Sequence, residues 1–138
     1  MKKVLLIIFL LIFVLTGCNS GYDNKIIPED TNMNKMAEYK KITAEEAKGI
    51  IDNEDVIIVD VRTQAEYDEG HIKNAVNAPV TEIADKAEKV LDDKSAKILV
   101  YCRSGNRSAT AAKTLIEMGY NNVYDFGGIT DWKYEIVK

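Results

Sequence analysis

Two short apolar segments constrain the fold of this chain more than any other feature. Residues 56–61 and 98–101 consist almost entirely of aliphatic and β-branched side chains, with no alternation between apolar and polar positions. Uninterrupted runs of this kind are typical of strands that are buried on both faces of a parallel sheet. Segments with helical features lie between the predicted strands. The alternation predicts an α/β fold, a small parallel sheet of about five strands with helices on both faces.

Helix-capping patterns mark the starts of two predicted helices. Thr43 is followed three residues later by Glu46, and Thr63 is followed in the same way by Glu66. This is the spacing of a capping box, in which each side chain bonds the other residue's backbone N–H. With apolar spacing and turn residues, the pattern predicts helices over residues 43–52, 64–69, 81–91, 108–118 and 129–134. Extended segments are expected over residues 41–42, 56–61, 72–80, 98–101 and 123–126.

The start of the chain has the features of a secretion signal. Lys2 and Lys3 precede an unbroken apolar run over residues 4–15. The run is shorter than the roughly 20 residues that a membrane-spanning helix needs, and its length suits a signal peptide. The sequence Leu15-Thr16-Gly17-Cys18 then resembles the lipobox of bacterial lipoproteins. In those proteins the signal is removed before the cysteine, and the cysteine thiol carries a diacylglyceryl group.

This resemblance implies three regions in the chain. Residues 1–17 are expected to be a lipoprotein signal peptide, residues 18–38 a lipidated N-terminus and flexible linker, and residues 39–138 the folded domain. Lipidation at Cys18 implies anchoring to the membrane, on the extracytoplasmic face of the bacterial cell membrane. The alternatives are an ordinary cleaved signal peptide and an uncleaved anchor. If Cys18 carries lipid, no disulfide with Cys102 can form.

The overall charge argues against one class of partner. The formal net charge is −4, and loss of Lys2 and Lys3 leaves 16 basic residues against 22 acidic ones. A nucleic-acid-binding surface requires a basic face, so nucleic acid is not an expected partner.

A reactive cysteine is predicted where the strand over residues 98–101 ends. The segment that follows combines a thiol, a glycine and two arginines: Cys102, Arg103, Ser104, Gly105, Asn106 and Arg107. Gly105 permits a tight curl in which successive backbone N–H groups point inward and bind an anion. The start of the next helix and both arginines add positive charge. We therefore expect the pKa of Cys102 to be lowered and its thiolate to be a nucleophile; the alternative is an inert buried cysteine.

This segment resembles the active-site loop of rhodanese-like sulfurtransferases. Further motifs of that family follow in the same order over residues 39–134: Asp60-Val61-Arg62, Glu66-Tyr67, Gly70-His71-Ile72, Asn77-Ala78-Pro79, Gly127-Gly128 and Trp132. The resemblance implies that Cys102 takes sulfane sulfur from an anionic donor such as thiosulfate, holds it as a persulfide and passes it to cyanide or a thiol. It also implies that the backbone from Arg103 to Arg107 holds the outer sulfur. No metal or organic cofactor is expected.

The other polar residues near the strand ends are expected to have supporting roles. Asp60 and Arg62 lie at the end of a buried strand and are expected to support the loop, paired with each other or with groups of the loop. His71 is the only histidine, and its place in a turn of the family pattern favours a structural hydrogen bond over catalysis.

Three other functions remain open at this point. A phosphatase or arsenate reductase would use a similar cysteine–arginine loop, but four residues separate Cys102 from Arg107, whereas the related phosphatases have five. A non-catalytic binding module is the second alternative. The third is sulfur transfer directed at protein thiols or redox chemistry outside the cell.

Overall fold

The computed structural model describes residues 38–138, a range that excludes the predicted signal peptide, Cys18 and nearly all of the predicted linker. The strands are β1 (Lys40–Lys41), β2 (Ile57–Asp60), β3 (His71–Ile72), β4 (Val76–Asn77), β5 (Ile98–Cys102), β6 (Val123–Gly128) and β7 (Ile136–Val137). The α-helices are α1 (Ala44–Asn53), α2 (Gln64–Glu69), α3 (Ile83–Val90) and α4 (Asn106–Glu117), and a 3-10 helix spans Ile129–Asp131. Within residues 38–138, no helix has the length and apolar character that crossing a bilayer would require.

Five of the strands form one parallel sheet in the order β1-β6-β5-β2-β4. Every residue of β5 is buried, as expected for a central strand that is covered on both faces. One face packs against α3 and α4, and the opposite face packs against α1 and the segment around Trp132. The predicted α/β fold with a parallel sheet of five strands is confirmed.

Both predicted capping boxes are present. Thr43 accepts a hydrogen bond from Glu46 N at 3.1 Å, while Glu46 Oε2 accepts one from Thr43 N at 2.7 Å. Thr63 and Glu66 make the same reciprocal pair at the start of α2. These motifs satisfy N–H groups that would otherwise lack partners in the first helical turn.

The predicted terminal helix over residues 129–134 is wrong. A 3-10 helix spans Ile129–Asp131, and the chain then extends to form β7, which pairs antiparallel with β3. Trp132 explains the early end of the helix, because its indole is buried with its ring centroid 5.8 Å from that of Phe126. The backbone at Trp132 is extended, with φ −79° and ψ 107°, and ends the helix where that side chain enters the core.

Other predicted bounds also differ from the structure, and two of these differences change the description of the site and of its neighbouring strands. The segment over residues 72–80 is not continuously extended, because a turn with Asn74 at φ +65° separates β3 from β4. Helix α4 begins at Asn106 instead of Ser108, so Asn106 and Arg107 belong to its first turn.

Candidate active site

The sheet brings the predicted site residues together at the carboxyl ends of neighbouring strands. Strands β2 and β5 are parallel, with Asp60 in register with Tyr101. Cys102 is the last residue of β5 and is 1% exposed. In an open parallel sheet, this edge is where binding sites form.

The chain curls around the Cys102 sulfur as soon as β5 ends. Gly105 has φ +105°, a conformation that side chains disfavour, and it caps the N-terminus of α4. The curl directs the Gly105 N–H at Cys102 Sγ, with an N–S distance of 3.0 Å. Beneath the sulfur, Ser108 Oγ lies 3.6 Å from Sγ.

These hydrogen bonds determine the ionisation of Cys102. Burial opposes the charged form, but the Ser108 hydroxyl and the backbone N–H groups of Ser108, Gly105 and Ser104 outweigh it. The pKa of Cys102 is therefore lowered from the ordinary value of a thiol. A lowered pKa increases the thiolate fraction near neutral pH, and the thiolate is the nucleophilic form.

A second glycine loop lies directly against the cysteine loop. Gly127 has φ +85°, and its carbonyl oxygen accepts a hydrogen bond from Ser108 Oγ at 3.2 Å. A Cβ atom on Gly128 would lie 2.1 Å from the carbonyl oxygen of Arg103, so only glycine fits there. The same Arg103 carbonyl accepts hydrogen bonds from the backbone N–H and the hydroxyl of Thr130. Contacts between backbones therefore hold the cysteine loop in position.

The two arginines of the loop have different environments. The Arg107 guanidinium forms two hydrogen bonds with the Glu66 carboxylate, Nη1–Oε2 at 2.7 Å and Nη2–Oε1 at 2.8 Å. The hydrogen bonds from Arg107 lower the pKa of Glu66 to about 2, despite an opposing contribution from burial. Arg103 is exposed, and within residues 38–138 it takes part in no ion pair. Arg103 is thus the unneutralised cation of the loop.

Ser104 and Asn106 have exposed side chains at the rim of the loop. Their placement leaves both side chains accessible to a bound molecule, while the backbone of Ser104 faces the sulfur.

Asp60 and Arg62 form a buried ion pair, with Arg62 Nη2 2.6 Å from Asp60 Oδ2. Arg62 also donates to the Gly70 carbonyl at 2.7 Å. The Tyr101 hydroxyl accepts from Ile72 N, and burial together with Asp60 raises the pKa of Tyr101 far above its usual range. The pair therefore joins β2 to the turn before β3, next to the strand that carries Cys102.

His71 stacks on Tyr67 with ring centroids 3.7 Å apart, and its Nδ1 lies 3.0 Å from the Tyr67 carbonyl oxygen. This placement agrees with the structural hydrogen bond favoured by the sequence.

The sequence interpretation missed two residues of the site. The sequence pattern indicates only a helix start at Ser108, yet its side chain is completely buried and its Oγ lies 3.6 Å from Cys102 Sγ. Its signal was a serine among the alanines of an otherwise apolar helix face. Glu66 was assigned to a capping box, and nothing in its spacing indicates that the same carboxylate also binds Arg107, 41 residues away.

Comparisons with known proteins find related sequences and a related fold. The family model described as a rhodanese-like domain matches residues 43–135. Thiosulfate sulfurtransferase GlpE from Coxiella burnetii is 38% identical over 96 residues, which cover 69% of this chain and 88% of that protein. The tRNA uridine(34) hydroxylase of Photorhabdus laumondii is 34% identical over 109 residues, which cover 75% of this chain and 30% of that protein.

Among solved structures, SSP1007 from Staphylococcus saprophyticus superposes with a TM-score of 0.64 at 30% sequence identity. The match covers 72% of this chain and 99% of SSP1007. Family match, curated relatives and fold agree, and the chain belongs to the rhodanese-like domain family.

Proposed function

We propose that this protein is a sulfurtransferase that carries sulfane sulfur as a persulfide on Cys102. The observation that carries the proposal is a single thiol held in a loop of N–H donors, with the Gly105 N–H 3.0 Å from the sulfur. The relative from Coxiella burnetii is named a thiosulfate sulfurtransferase and supports the same activity.

The first half of the reaction loads the protein with sulfur. The Cys102 thiolate attacks the sulfane sulfur of thiosulfate, the S–S bond of the donor breaks, and sulfite leaves with the electron pair. The product is a persulfide whose outer sulfur carries negative charge. Because the N–H groups of Ser104, Gly105 and Ser108 point at Cys102 Sγ, to which the outer sulfur is bonded, we infer that they and the start of α4 stabilise that charge. Arg103, exposed and unpaired within the described part of the chain, attracts the anionic donor.

The second half releases the sulfur. A nucleophile such as cyanide or a thiolate attacks the outer sulfur, and the bond between that sulfur and Cys102 Sγ breaks. The electron pair returns to Sγ, which regenerates the thiolate. One cysteine suffices, because the covalent intermediate divides the transfer into two displacement steps.

The position of Arg107 favours sulfur transfer over a phosphatase reaction. A phosphatase of this type needs the loop arginine to bind the phosphoryl oxygens, and here both terminal nitrogens of Arg107 are bound to Glu66. With four residues between Cys102 and Arg107, the loop is also shorter than that of the related phosphatases.

Intact-mass analysis tests the proposal. After exposure to thiosulfate, the protein should gain the mass of one sulfur atom and should then produce thiocyanate on addition of cyanide. Both results should be lost in Cys102→Ser, with an unchanged thermal melt. Wild-type protein that gains no sulfur but hydrolyses an aryl phosphate would contradict the proposal in favour of a phosphatase.

We also propose that the protein is anchored through lipid on Cys18, to the extracytoplasmic face of the bacterial cell membrane. The support is the order of basic residues, apolar run and Leu15-Thr16-Gly17-Cys18, all outside the described residues. Metabolic labelling with palmitate in a bacterial host should label the wild type and not Cys18→Ala, while Cys102→Ala should remain labelled. Equal labelling of the Cys18→Ala variant would disprove the anchor.

A further inference from the structure

The Ser108 hydroxyl lies among two carbonyl oxygens and the Cys102 sulfur, which donates to Ser108 Oγ as a thiol and becomes a third acceptor as a thiolate. Its Oγ is 3.0 Å from the Gly105 carbonyl oxygen, 3.2 Å from the Gly127 carbonyl oxygen and 3.6 Å from Cys102 Sγ. A hydroxyl has one proton to donate, so these acceptors compete for it. The side chain is completely buried, which makes solvent a poor substitute for any of the three.

We propose that Ser108 is a catalytic residue whose hydroxyl donates to Cys102 Sγ while the sulfur is a thiolate and to a glycine carbonyl while the sulfur is bonded to transferred sulfur. This inference rests on the proposed persulfide reaction and assigns one step of it to a side chain. Charge at Sγ makes it the strongest of the three acceptors, because hydrogen bonds to charged groups are stronger than neutral ones. In the loaded protein the charge is on the outer sulfur, and the carbonyl oxygens become the better acceptors.

The proposal gives Ser108 a specific role in sulfur release. As cyanide or a thiolate bonds to the outer sulfur, the bond between that sulfur and Cys102 Sγ breaks and its electron pair moves to Sγ. The Ser108 proton stays on Oγ but turns from the carbonyl to the newly formed thiolate. A leaving thiolate of lower pKa departs faster, so this hydrogen bond accelerates release.

Loading should respond differently, because two effects of Ser108 then oppose each other. Its hydrogen bond increases the fraction of Cys102 that is ionised, but it also reduces the intrinsic nucleophilicity of the thiolate. Removal of the hydroxyl should therefore slow release much more than loading.

The neighbouring charged groups are held by contacts that do not involve the Ser108 hydroxyl. Asp125 Oδ1 accepts the Gly127 N–H at 2.9 Å and so holds the turn that presents the Gly127 carbonyl. Asp125 is in register with Val100 and two residues from Val123, so it is on the same sheet face as Cys102. Arg107 on α4 is the cation that interacts with the Cys102 charge. Asp125 and Arg107 are unchanged in Ser108→Ala, so the variant reports on the hydroxyl.

Single-turnover kinetics of the two half-reactions test the proposal in the full chain. Persulfidated protein is prepared with thiosulfate, separated from it and mixed with cyanide, and thiocyanate is followed with time. Ser108→Ala should release sulfur about tenfold more slowly or worse, the usual effect of losing a hydrogen bond to a charged group. Loading, followed by intact mass at neutral pH, should change less than about threefold because the opposing effects on ionised fraction and nucleophilicity partly cancel.

Two control variants and one additional measurement separate this role from a structural one. Ser108→Thr retains the hydroxyl and should restore the release rate. Thr114→Ala removes a hydroxyl that bonds only the Thr110 carbonyl of the same helix and should leave both half-reactions unchanged. The pH midpoint of Cys102 alkylation should rise in Ser108→Ala and in neither control.

Equal slowing of both half-reactions, or release at the wild-type rate, would overturn the inference. If Ser108→Ala does not fold, carbonyl ¹³C spectra of the wild type provide the test. Loading with sulfur should move the Gly127 or Gly105 carbonyl signal, and cyanide should reverse the change. Unchanged signals would refute the inference. If thiosulfate does not load the wild type, the protein is loaded with inorganic polysulfide instead and release is measured as before. That outcome would count only against thiosulfate as the donor. Protein that gains no sulfur from either source contradicts both proposals.

Discussion

Glu66 and Arg107 form a two-point ion pair that joins the start of α2 to the start of α4. Both carboxylate oxygens and both terminal guanidinium nitrogens take part, at 2.7 and 2.8 Å. Glu66 simultaneously closes the capping box of α2 through Thr63. The active-site helix is thereby attached to a second helix whose own first turn depends on the same carboxylate.

In Glu66→Gln the free energy of unfolding should depend less on pH in the range below pH 4.5 than it does in the wild type. The folded-state pKa of Glu66 is about 2, below the ordinary value of 4.5, so its stabilisation is complete above pH 4.5 and is lost as the pH falls towards 2. At pH 7 the variant should have a free energy of unfolding about 1–2 kcal/mol lower than that of the wild type, a value that takes solvent screening into account. Urea unfolding of wild type and variant at pH 7 and pH 3 measures it. The difference in stability between the two proteins should shrink at pH 3; a constant difference would contradict the assignment.

Arg103→Gln should weaken use of an anionic donor. Arg103 is exposed and lacks an ion-pair partner within residues 38–138, so its charge acts on an approaching anion. At low ionic strength kcat/KM for thiosulfate should fall about fivefold, and the difference should narrow at high salt because ions screen exposed charges. Lys113→Gln removes the same charge from the exposed side of α4 and serves as the matched control. A salt-independent loss would argue for a role other than attraction of the anion.

Gly128→Ala should disrupt the cysteine loop. Its added Cβ would meet the Arg103 carbonyl oxygen at 2.1 Å and Ser104 Cα at 2.7 Å, so one of the two loops must move. We expect a loss of about 1–3 kcal/mol in stability and a large loss of persulfide formation. Gly49→Ala is the opposite case: no atom lies within 4 Å of its added Cβ, and a helical alanine should stabilise by about 0.5–1 kcal/mol. Unchanged sulfur loading in Gly128→Ala would show that the close contact is unimportant.

Arg62→Met should cost about 3 kcal/mol or more, because it leaves the completely buried Asp60 carboxylate without its cation. The double variant Asp60→Asn/Arg62→Met should recover part of that loss. Lys86→Gln breaks an exposed pair with Glu82 on α3 and should change stability by at most about 0.5 kcal/mol. Chemical denaturation of the four proteins provides the comparison. A loss in Arg62→Met as small as that in Lys86→Gln would contradict a supporting role for the buried pair.

The sequence was sufficient for features that depend on local pattern. Uninterrupted apolar runs predict buried strands, and for this reason the order of strands and helices around β5 was predictable. The capping boxes are local as well, since Thr63 and Glu66 are three residues apart. The curl at Gly105 followed from the need for a positive φ close to the strand end.

What could not be predicted depends on contacts between distant parts of the chain. Strand β7 exists because it pairs with β3, about 65 residues earlier, and no local signal near Ile136 specifies that partner. The pairing of Arg107 with Glu66 is equally remote in sequence, so two arginines that look equivalent in the printed loop differ in available charge. Ser108 lies under the sulfur because α4 starts two residues earlier than its pattern indicated.

Because Gly128 closely approaches the Arg103–Ser104 backbone, the shape of the cysteine loop can stay the same while the side chains at its rim change. The contact involves main-chain atoms alone on both sides, so the shape of the cysteine loop does not depend on which side chains the rim carries. Arg103, Ser104 and Asn106 all project outward from it. If the loop holds sulfur as proposed, substitution at these three positions can alter which molecules are admitted while the position of the sulfur stays the same, so that one scaffold can take different substrates without any change around Cys102.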